Sequence, residues 1–502
     1  MASTLTRRSW PASTGSFLKI LRRIFGVLAL LIVALVLLLW FKPPALLRVG
    51  ANYSAKIVCS NVFLAGRDPD EVLRVDVQAP GISILKLMRV SVDRERGVVR
   101  AGFFGVVGDG LAQYRPGRGC TVLPDGKLDA SAPSQLSSIS GIGPPVPSVA
   151  PSAFSSAPWP DGAAVETRAT IDALIKDPAL TGPGARAIVV VNHGRIVGEY
   201  YGPGFESNTP LLGWSMTKTV VAGVVGMLIK DGKLSLAQAG FWPGNDGRER
   251  IRLKDLLAMS SGLQWNEAYG AVSDVTSMLY LQPDMAGFAR SPPLAHPPGE
   301  EWLYSSGTAV ILSRIAQEAL APGGGATEGH DLPSFIQGRL FNPLGITTAT
   351  IEPDERGTLV GSSYMYATAR DWARYGLFLL QDGVWQGEEL LPPGYVAMMT
   401  TPVEASQGQY GMGQTWLWGS EAVTPGVNPD TAFGIPPDAF WMSGHDGQSV
   451  CIIKSRQLVI VRLGLTPYAA GYTAQRLVQA VLKATLPATG APASTAAEAA
   501  AH

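Results

Sequence analysis

Ser215 and Lys218 have the spacing of a serine nucleophile and its base. Apolar side chains then recur at three- and four-residue intervals over 220–229, and Gly232 follows, which predicts a helix that begins at Ser215. Residues three apart lie on one face of a helix, so the Lys218 amine can reach the Ser215 hydroxyl. A lysine can accept that proton only where its surroundings lower its pKa. The helix N-terminus would also favour negative charge that develops on Ser215.

Tyr304 is the candidate proton partner of this pair. It follows the segment 298–300, Pro-Gly-Glu, and precedes a second helical pattern over 309–320. A tyrosine at a helix start can share a proton with a lysine and then protonate a leaving group. The alternative is a core tyrosine whose hydroxyl is satisfied by the protein.

The segment 443–449, Ser-Gly-His-Asp-Gly-Gln-Ser, is a glycine-flanked turn that leads into a predicted strand at Val450. Backbone N–H groups in such a turn can face a substrate and hold an oxyanion. The candidates for oxyanion and substrate binding are His445, Gly447, Gln448 and Ser449. A simple surface turn is the alternative.

A Ser-x-x-Lys spacing alone is weak, since the chain contains three such pairs. The five segments that occur here in order are more specific: 213–218 (Gly-Trp-Ser-Met-Thr-Lys), 256–263 (Leu-Leu-Ala-Met-Ser-Ser-Gly-Leu), 298–306, 367–374 (Ala-Thr-Ala-Arg-Asp-Trp-Ala-Arg) and 444–448. Over residues 161–486 the chain resembles the serine β-lactamase-like hydrolases. The resemblance is to the group of class C β-lactamases, family VIII carboxylesterases and 6-aminohexanoate-dimer hydrolases, with the last of these the most similar.

This resemblance implies an acyl-enzyme on Ser215, activated by Lys218, with Tyr304 as the partner in proton transfer. It implies that the Ser215 backbone N–H and one near Ser449 hold the oxyanion. It implies no metal and no cofactor.

Two positions depart from the motifs of class C β-lactamases. Ser306 stands where their Tyr-x-Asn motif has the asparagine, and His445-Asp446-Gly447 stands in place of Lys-Thr-Gly. The missing lysine removes a cation that would hold the carboxylate of a β-lactam or a peptide. A small ester or amide substrate is therefore expected.

Composition excludes several other classes of protein. Lys+Arg and Asp+Glu are both 40 without a basic stripe, which argues against nucleic-acid binding. The five histidines do not cluster with the three cysteines, so no zinc site is expected. An α/β-hydrolase is disfavoured because the sequence lacks Gly-x-Ser-x-Gly.

Strand patterns lie at both ends of the main domain, 161–486. A hairpin is predicted from 187–191 and 195–201, and a second from 450–453 and 458–463, with a helix over 473–486. Helical patterns fill the middle. This order predicts an antiparallel sheet with a helical middle. The resemblance implies the α+β, β-lactamase/transpeptidase-like fold, in which an antiparallel sheet is flanked by helices and accompanied by an all-helical subregion.

The N-terminal part predicts a membrane anchor. Residues 24–41 are uncharged and almost all apolar, and basic residues of the leader 1–23 precede them. The expected arrangement is a single pass through the inner (cytoplasmic) membrane, with a cytoplasmic leader and a periplasmic or extracellular catalytic domain. A cleaved signal peptide is the alternative.

Residues 45–128 are predicted to form a small β-rich unit, with strand-like runs at 56–59 and 97–100. A Ser/Ala/Pro-rich linker at 129–160 follows, and 487–502 is predicted to be a disordered tail. In an oxidising compartment Cys59 and Cys120 are expected to pair, and Cys451 to remain a buried thiol. Three unpaired core cysteines are the alternative.

The function predicted from the sequence is hydrolysis of a small ester or amide through an acyl-enzyme. A cell-wall D,D-peptidase and a non-catalytic, penicillin-binding-like scaffold protein are the alternatives. The absence of Lys-Thr-Gly argues against the first alternative. The presence of Ser215, Lys218 and Tyr304 together argues against the second. The oligomeric state stays open.

Overall fold

The computed structural model describes residues 14–79, 82–128, 156–320, 332–419, 424 and 426–486. The predicted tail at 487–502 and nearly all of the predicted linker lie outside the described residues.

The helices are α1 Thr14–Phe41, α2 Ala45–Phe63, α3 Pro69–Val72, α4 Ala169–Ile175, α5 Pro178–Thr181, α6 Met216–Lys230, α7 Leu253–Leu257, α8 Asp274–Leu281, α9 Met285–Arg290, α10 Ser306–Leu320, α11 Leu332–Ile336, α12 Asn342–Leu344, α13 Ala369–Leu380, α14 Tyr395–Met399 and α15 Ala474–Thr485. The strands are β1 Met88–Asp93, β2 Val98–Phe103, β3 Val107–Arg115, β4 Gly119–Val122, β5 Ala185–Asn192, β6 Arg195–Tyr201, β7 Leu211–Leu212, β8 Thr350–Ile351, β9 Met365–Ala367, β10 Val384–Trp385, β11 Glu388–Glu389, β12 Ala439–Gly444, β13 Gln448–Ile453 and β14 Leu458–Gly464.

The main sheet joins the two ends of the catalytic part of the chain. Its strand order is β12-β13-β14-β5-β6, and every neighbouring pair is antiparallel. The hairpin β5–β6 comes from the start of this part and β12–β14 from its end, with Leu458 opposite Asn192 where they meet. This arrangement is the antiparallel sheet that the sequence predicts.

Helices cover both faces of this sheet. On one face, side chains of α4 and α15 pack with those of β5 and β14 in a single apolar cluster. On the other, α13 lies so close that a Cβ on Gly376 would be 2.6 Å from a methyl group of Val459. Helices α6 to α14 lie between β6 and β12 in the chain, so the α+β fold with a helical middle is confirmed.

The part that precedes the catalytic part is built around helix α2 and a four-stranded sheet. Strands β1 to β4 form an antiparallel sheet in sequence order, and α2 packs across it. The strand predicted at 97–100 falls on β2, but the one predicted at 56–59 is wrong because this run lies in α2. Nearly every residue of α2 from Leu47 to Phe63 is buried, so the short apolar run 57–59 shows no contrast between a core face and a solvent face.

Two buried contacts fix this part to the catalytic part. Lys56 on α2 forms an ion pair with Glu352, and both side chains are fully buried. The Glu352 carboxylate also accepts a hydrogen bond from Ser60 Oγ at 2.9 Å.

Cys59 Sγ and Cys120 Sγ are bonded at 2.04 Å and link α2 to β4, whereas Cys451 is a buried free thiol.

Helix α1 covers the apolar N-terminal run, and Ile24, Phe25 and Leu30 on it are exposed. The transmembrane anchor predicted for 24–41 is not supported, because no helix in the described part of the chain is long and apolar enough to cross a membrane.

Candidate active site

Ser215 lies at the N-terminus of α6, directly before its first residue. The preceding residue, Trp214, is buried and has a φ of 49°, a left-handed conformation that is costly for a residue other than glycine. Such strain persists only where the surrounding packing holds it, and the Trp214 ring packs against Tyr364 and His445. The turn therefore presents the Ser215 hydroxyl at a helix start with a fixed orientation.

Lys218 lies one turn further along α6, and its amine is within hydrogen-bond distance of the Ser215 hydroxyl. Lys218 Nζ is 2.9 Å from Ser215 Oγ, 3.2 Å from Ser306 Oγ and 2.9 Å from the Ser362 carbonyl oxygen. The side chain is 1% exposed, and this burial lowers the pKa of Lys218 to about 8, although the charge of Glu267 acts in the opposite direction. At neutral pH roughly a tenth of the amine is then uncharged and able to accept a proton.

Tyr304 reaches the same hydroxyl from the segment that leads into α10. Tyr304 lines the same cavity as Ser215, and Lys218 Nζ is 4.8 Å from the centre of its ring. Burial, and then the charge of Glu267, raise the pKa of Tyr304 well above its usual range. The phenol therefore stays protonated, which favours the shared hydrogen bond over the phenolate among the roles that the sequence allows for it.

Glu267 is a site residue that the sequence does not single out for catalysis. Its carboxylate accepts hydrogen bonds from Ser306 Oγ at 2.5 Å, from the Ser306 backbone N–H at 2.8 Å and from Trp265 Nε1 at 2.6 Å. Ser306, the residue in the asparagine position of the second motif, thus bridges Glu267 and Lys218. The only signal in the sequence is that Glu267 follows the segment 256–263 by four residues.

Strand β12 forms the wall opposite Tyr304 and runs beside the nucleophile. A Cβ on Gly444 would lie 2.2 Å from the Gly213 carbonyl oxygen, so only glycine allows this approach. Trp441 pairs through its N–H and C=O with Trp416, away from β13. Backbone groups alternate in direction along an antiparallel strand, so the N–H of Ser443, two residues on, faces the same side.

The predicted turn residues divide between the cavity and the sheet. His445 lines the cavity, and its ring stacks on Tyr269 at 5.0 Å. The Gln448 side-chain amide instead donates a hydrogen bond to the Gly464 carbonyl oxygen and accepts one from the Gly464 N–H. The Gly447 carbonyl oxygen accepts a hydrogen bond from Arg462.

Ser449 lies on β13, opposite Ser443 on β12. The chain reverses at 445–447, so residues after the turn are one strand further from the free edge of the sheet. Ser443 lines the cavity together with Ser215, and Ser449 is not among the described residues that line it.

The cavity above Ser215 has a volume of about 740 Å³ and an aromatic lining. Trp302, Tyr304, Trp416 and Trp418 form much of its wall. Among the described residues that line it, none is lysine or arginine, which agrees with the missing lysine of the third motif. The arrangement can generate a serine nucleophile next to a largely aromatic binding surface that carries no lysine or arginine among the described residues.

Comparisons with known proteins agree with this geometry. A family model described as Beta-lactamase matches residues 171–483, which is more than half of the chain. No curated protein has a detectable similarity to the chain.

Solved structures that resemble the chain include three hydrolase-like proteins. A proposed 6-aminohexanoate-dimer hydrolase from Bacillus anthracis is 19% identical, with a TM-score of 0.49, over 60% of this chain and 79% of that one. A penicillin-binding protein homologue from Caulobacter crescentus is 17% identical, with a TM-score of 0.47, over 63% and 97%. A family VIII carboxylesterase is 16% identical, with a TM-score of 0.47, over 63% and 97%. With the family model covering the catalytic part, the chain belongs to the Beta-lactamase family of serine hydrolases.

Proposed function

We propose that the protein hydrolyses a small ester or amide through an acyl-enzyme on Ser215. The observation that carries this proposal is the contact of 2.9 Å between Lys218 Nζ and Ser215 Oγ, made by a lysine whose pKa burial lowers to about 8. A buried lysine that is partly neutral at physiological pH is suited to act as a general base.

Acylation begins with the neutral Lys218 amine. It takes the proton from Ser215 Oγ while the oxygen attacks the substrate carbonyl carbon, and the carbonyl double bond opens to an oxyanion. The backbone N–H groups of Ser215 and Ser443 are the proposed donors to that oxyanion. The N-terminus of α6 adds a favourable dipole at the same place.

The leaving group departs with a proton. The neutral Tyr304 phenol donates its proton to the ester oxygen or amide nitrogen as the carbon–heteroatom bond breaks, and the Lys218 ammonium returns a proton to Tyr304. In deacylation the pair of Lys218 and Tyr304 takes a proton from water as the water oxygen attacks the acyl carbon. That proton returns to Ser215 Oγ, which restores the free enzyme and releases the acid.

The charge around the cavity supports a neutral substrate. A β-lactam or a peptide C-terminus carries a carboxylate, and no lysine or arginine lines the described cavity to receive it. Glu267 contributes a negative charge at the same wall. These features favour esters and amides without a carboxylate near the scissile bond over the D,D-peptidase alternative.

A location outside the cytoplasm, periplasmic or extracellular, is also proposed. It is supported by the bond between Cys59 and Cys120, since structural disulfides are rare in reducing compartments. Alkylation of the unreduced protein under denaturing conditions tests the bridge, because both cysteines are buried in the folded state and only a bridged pair still resists labelling after unfolding.

The test of the proposed function is a substrate panel with the full-length protein: p-nitrophenyl esters, short anilides and a chromogenic cephalosporin. Esters and amides should be turned over, and Ser215→Ala should lower kcat/KM by about 10³-fold or more with an unchanged circular-dichroism spectrum. Full activity in Ser215→Ala, or a clear preference for the cephalosporin, would overturn the proposal.

A further inference from the structure

A second cavity adjoins the active-site cavity. It has a volume of about 270 Å³, and Tyr269 and His445 line both cavities. Trp214, the residue before the nucleophile, lines the second cavity only. A substrate bound at Ser215 could therefore extend past Tyr269 and His445 into this space.

The far wall of this second cavity comes from outside the catalytic part of the chain. Leu46, Val49 and Tyr53 on α2 contribute to it, together with Ile82 and Ile84. All of them precede residue 171, where the match to the family model begins. Resting on the function proposed above, we propose that the second cavity binds a neutral apolar chain of the substrate, so that the N-terminal part forms one wall of the substrate site.

The chemistry of the lining specifies the occupant. Most of the lining side chains are aliphatic or aromatic, and Ile82 and Tyr269 are 41% and 39% exposed although they are large and apolar. Lysine and arginine are absent from the described lining, and Asp446 would repel an anionic group. An uncharged hydrocarbon chain is the group that this surface fits.

The volume sets the length of the chain. A group the size of water takes about 30 Å³ in a liquid, so 270 Å³ holds about nine methylene-sized groups. A chain of about eight carbons would fill the cavity, and longer chains would project into solvent.

The wall from α2 is held in place by the catalytic part. Asn52 Nδ2 donates a hydrogen bond of 2.7 Å to the Tyr280 carbonyl oxygen on α8, and the rings of Tyr53 and Tyr280 meet edge to face at 5.6 Å. Both tyrosines line the second cavity. The cavity is thus built across a fixed junction, with a defined shape that can select chain length.

The first experiment is a chain-length series on the full-length protein. One arm uses p-nitrophenyl esters with acyl chains of two to sixteen carbons, and the other uses acetate esters of linear alcohols. In the arm whose chain enters the cavity, kcat/KM should rise about fourfold per methylene up to about eight carbons and then level off. A flat profile in both arms would overturn the inference, even if every ester is turned over.

Variants locate the effect. Ile82→Trp and Ala271→Trp place bulk at the cavity lining and should lower the octanoate-to-acetate ratio of kcat/KM at least tenfold. Val106→Trp is the control, since Val106 is also exposed and does not line the cavity, and it should leave the ratio unchanged. An unchanged ratio in both cavity variants would contradict the inference.

A binding measurement separates this inference from the proposed function. Calorimetric titration of Ser215→Ala protein with methyl octanoate needs no turnover. Saturable binding that Ile82→Trp weakens at least tenfold supports the cavity even if no ester is hydrolysed. The same weak binding for methyl octanoate and methyl acetate would refute the cavity even if Ser215 is active.

Discussion

At the scale of single residues, the proposed reactivity of Ser215 depends on two opposed effects on the pKa of Lys218. Burial lowers the pKa of the Lys218 amine, and the negative charge of Glu267 raises it, with burial the larger. Glu267 also fixes Ser306, which contacts Lys218 in turn. The Glu267 carboxylate therefore both positions the proposed base, Lys218, and limits how much of its amine is neutral at pH 7.

The pH dependence should follow from this balance. We expect kcat/KM for ester hydrolysis to rise with pH through an apparent pKa near 8, as Lys218 loses its proton. Glu267→Gln removes the charge that stabilises the ammonium form, so the midpoint should move to lower pH. Glu206→Gln, at an exposed site, is the control. A midpoint that stays or moves upward in Glu267→Gln would contradict this role.

The sequence predicts the three residues whose roles depend on local spacing, and not those placed by long-range contacts. Ser215 and Lys218 are three apart on one helix, and Tyr304 stands at a helix start, so their types and positions can be recognised. Glu267 lies in an irregular segment and Ser443 on a strand whose pairing is not local. Their places in the site follow only from the tertiary fold.

At the scale of elements, the approach of β12 to the start of α6 assembles the proposed oxyanion site. The gap between Gly444 and the Gly213 carbonyl leaves no room for a side chain. The sequence predicts the hairpin of β13 and β14 from two short apolar runs, 450–453 and 458–463. It places the expected donor near Ser449, after the turn, whereas we propose Ser443, on the edge strand β12 before the turn. Buried α2 is mistaken for a strand over 56–59.

Gly444→Ala tests the approach of β12. Its methyl group would contact the Gly213 carbonyl at 2.2 Å, so β12 must move away and draw the Ser443 N–H from the oxyanion. We expect kcat to fall by about 10²-fold to 10³-fold, the usual effect of losing one such donor, with a smaller change in KM. Gly338→Ala, where a Cβ meets no atom within 4 Å, is the control. A folded Gly444→Ala enzyme with the parent kcat would contradict the assignment.

At the scale of the whole molecule, the N-terminal part is joined to the catalytic part through its core. Lys56 and Glu352 form a fully buried ion pair, and Ser60 on the same helix donates to the carboxylate. Burial raises the pKa of Glu352 and lowers that of Lys56, and each charge opposes that shift in the other. Loss of one partner alone would therefore leave the other charge buried without a counter-ion.

Lys56→Met should destabilise the folded protein by about 3–5 kcal/mol, because it leaves the Glu352 carboxylate buried without a counter-ion. Urea unfolding measures this change. The double variant Lys56→Met/Glu352→Leu should recover most of the loss, since apolar replacement of both partners removes the unpaired charge. Lys176→Met, in the exposed pair with Asp172, should cost under about 1 kcal/mol. If Lys56→Met lost no more stability than Lys176→Met, the junction would not depend on the ion pair between Lys56 and Glu352.

The most direct test of the account is covalent labelling of the full-length protein with a fluorophosphonate, followed by mass spectrometry of its peptides. We predict a single adduct on Ser215, its absence in Ser215→Ala, and labelling slowed by at least about 10²-fold in Lys218→Ala, because the buried amine activates the hydroxyl. No adduct on a protein shown to be folded, or the same adduct in Ser215→Ala, would contradict the claim that Ser215 is an activated nucleophile.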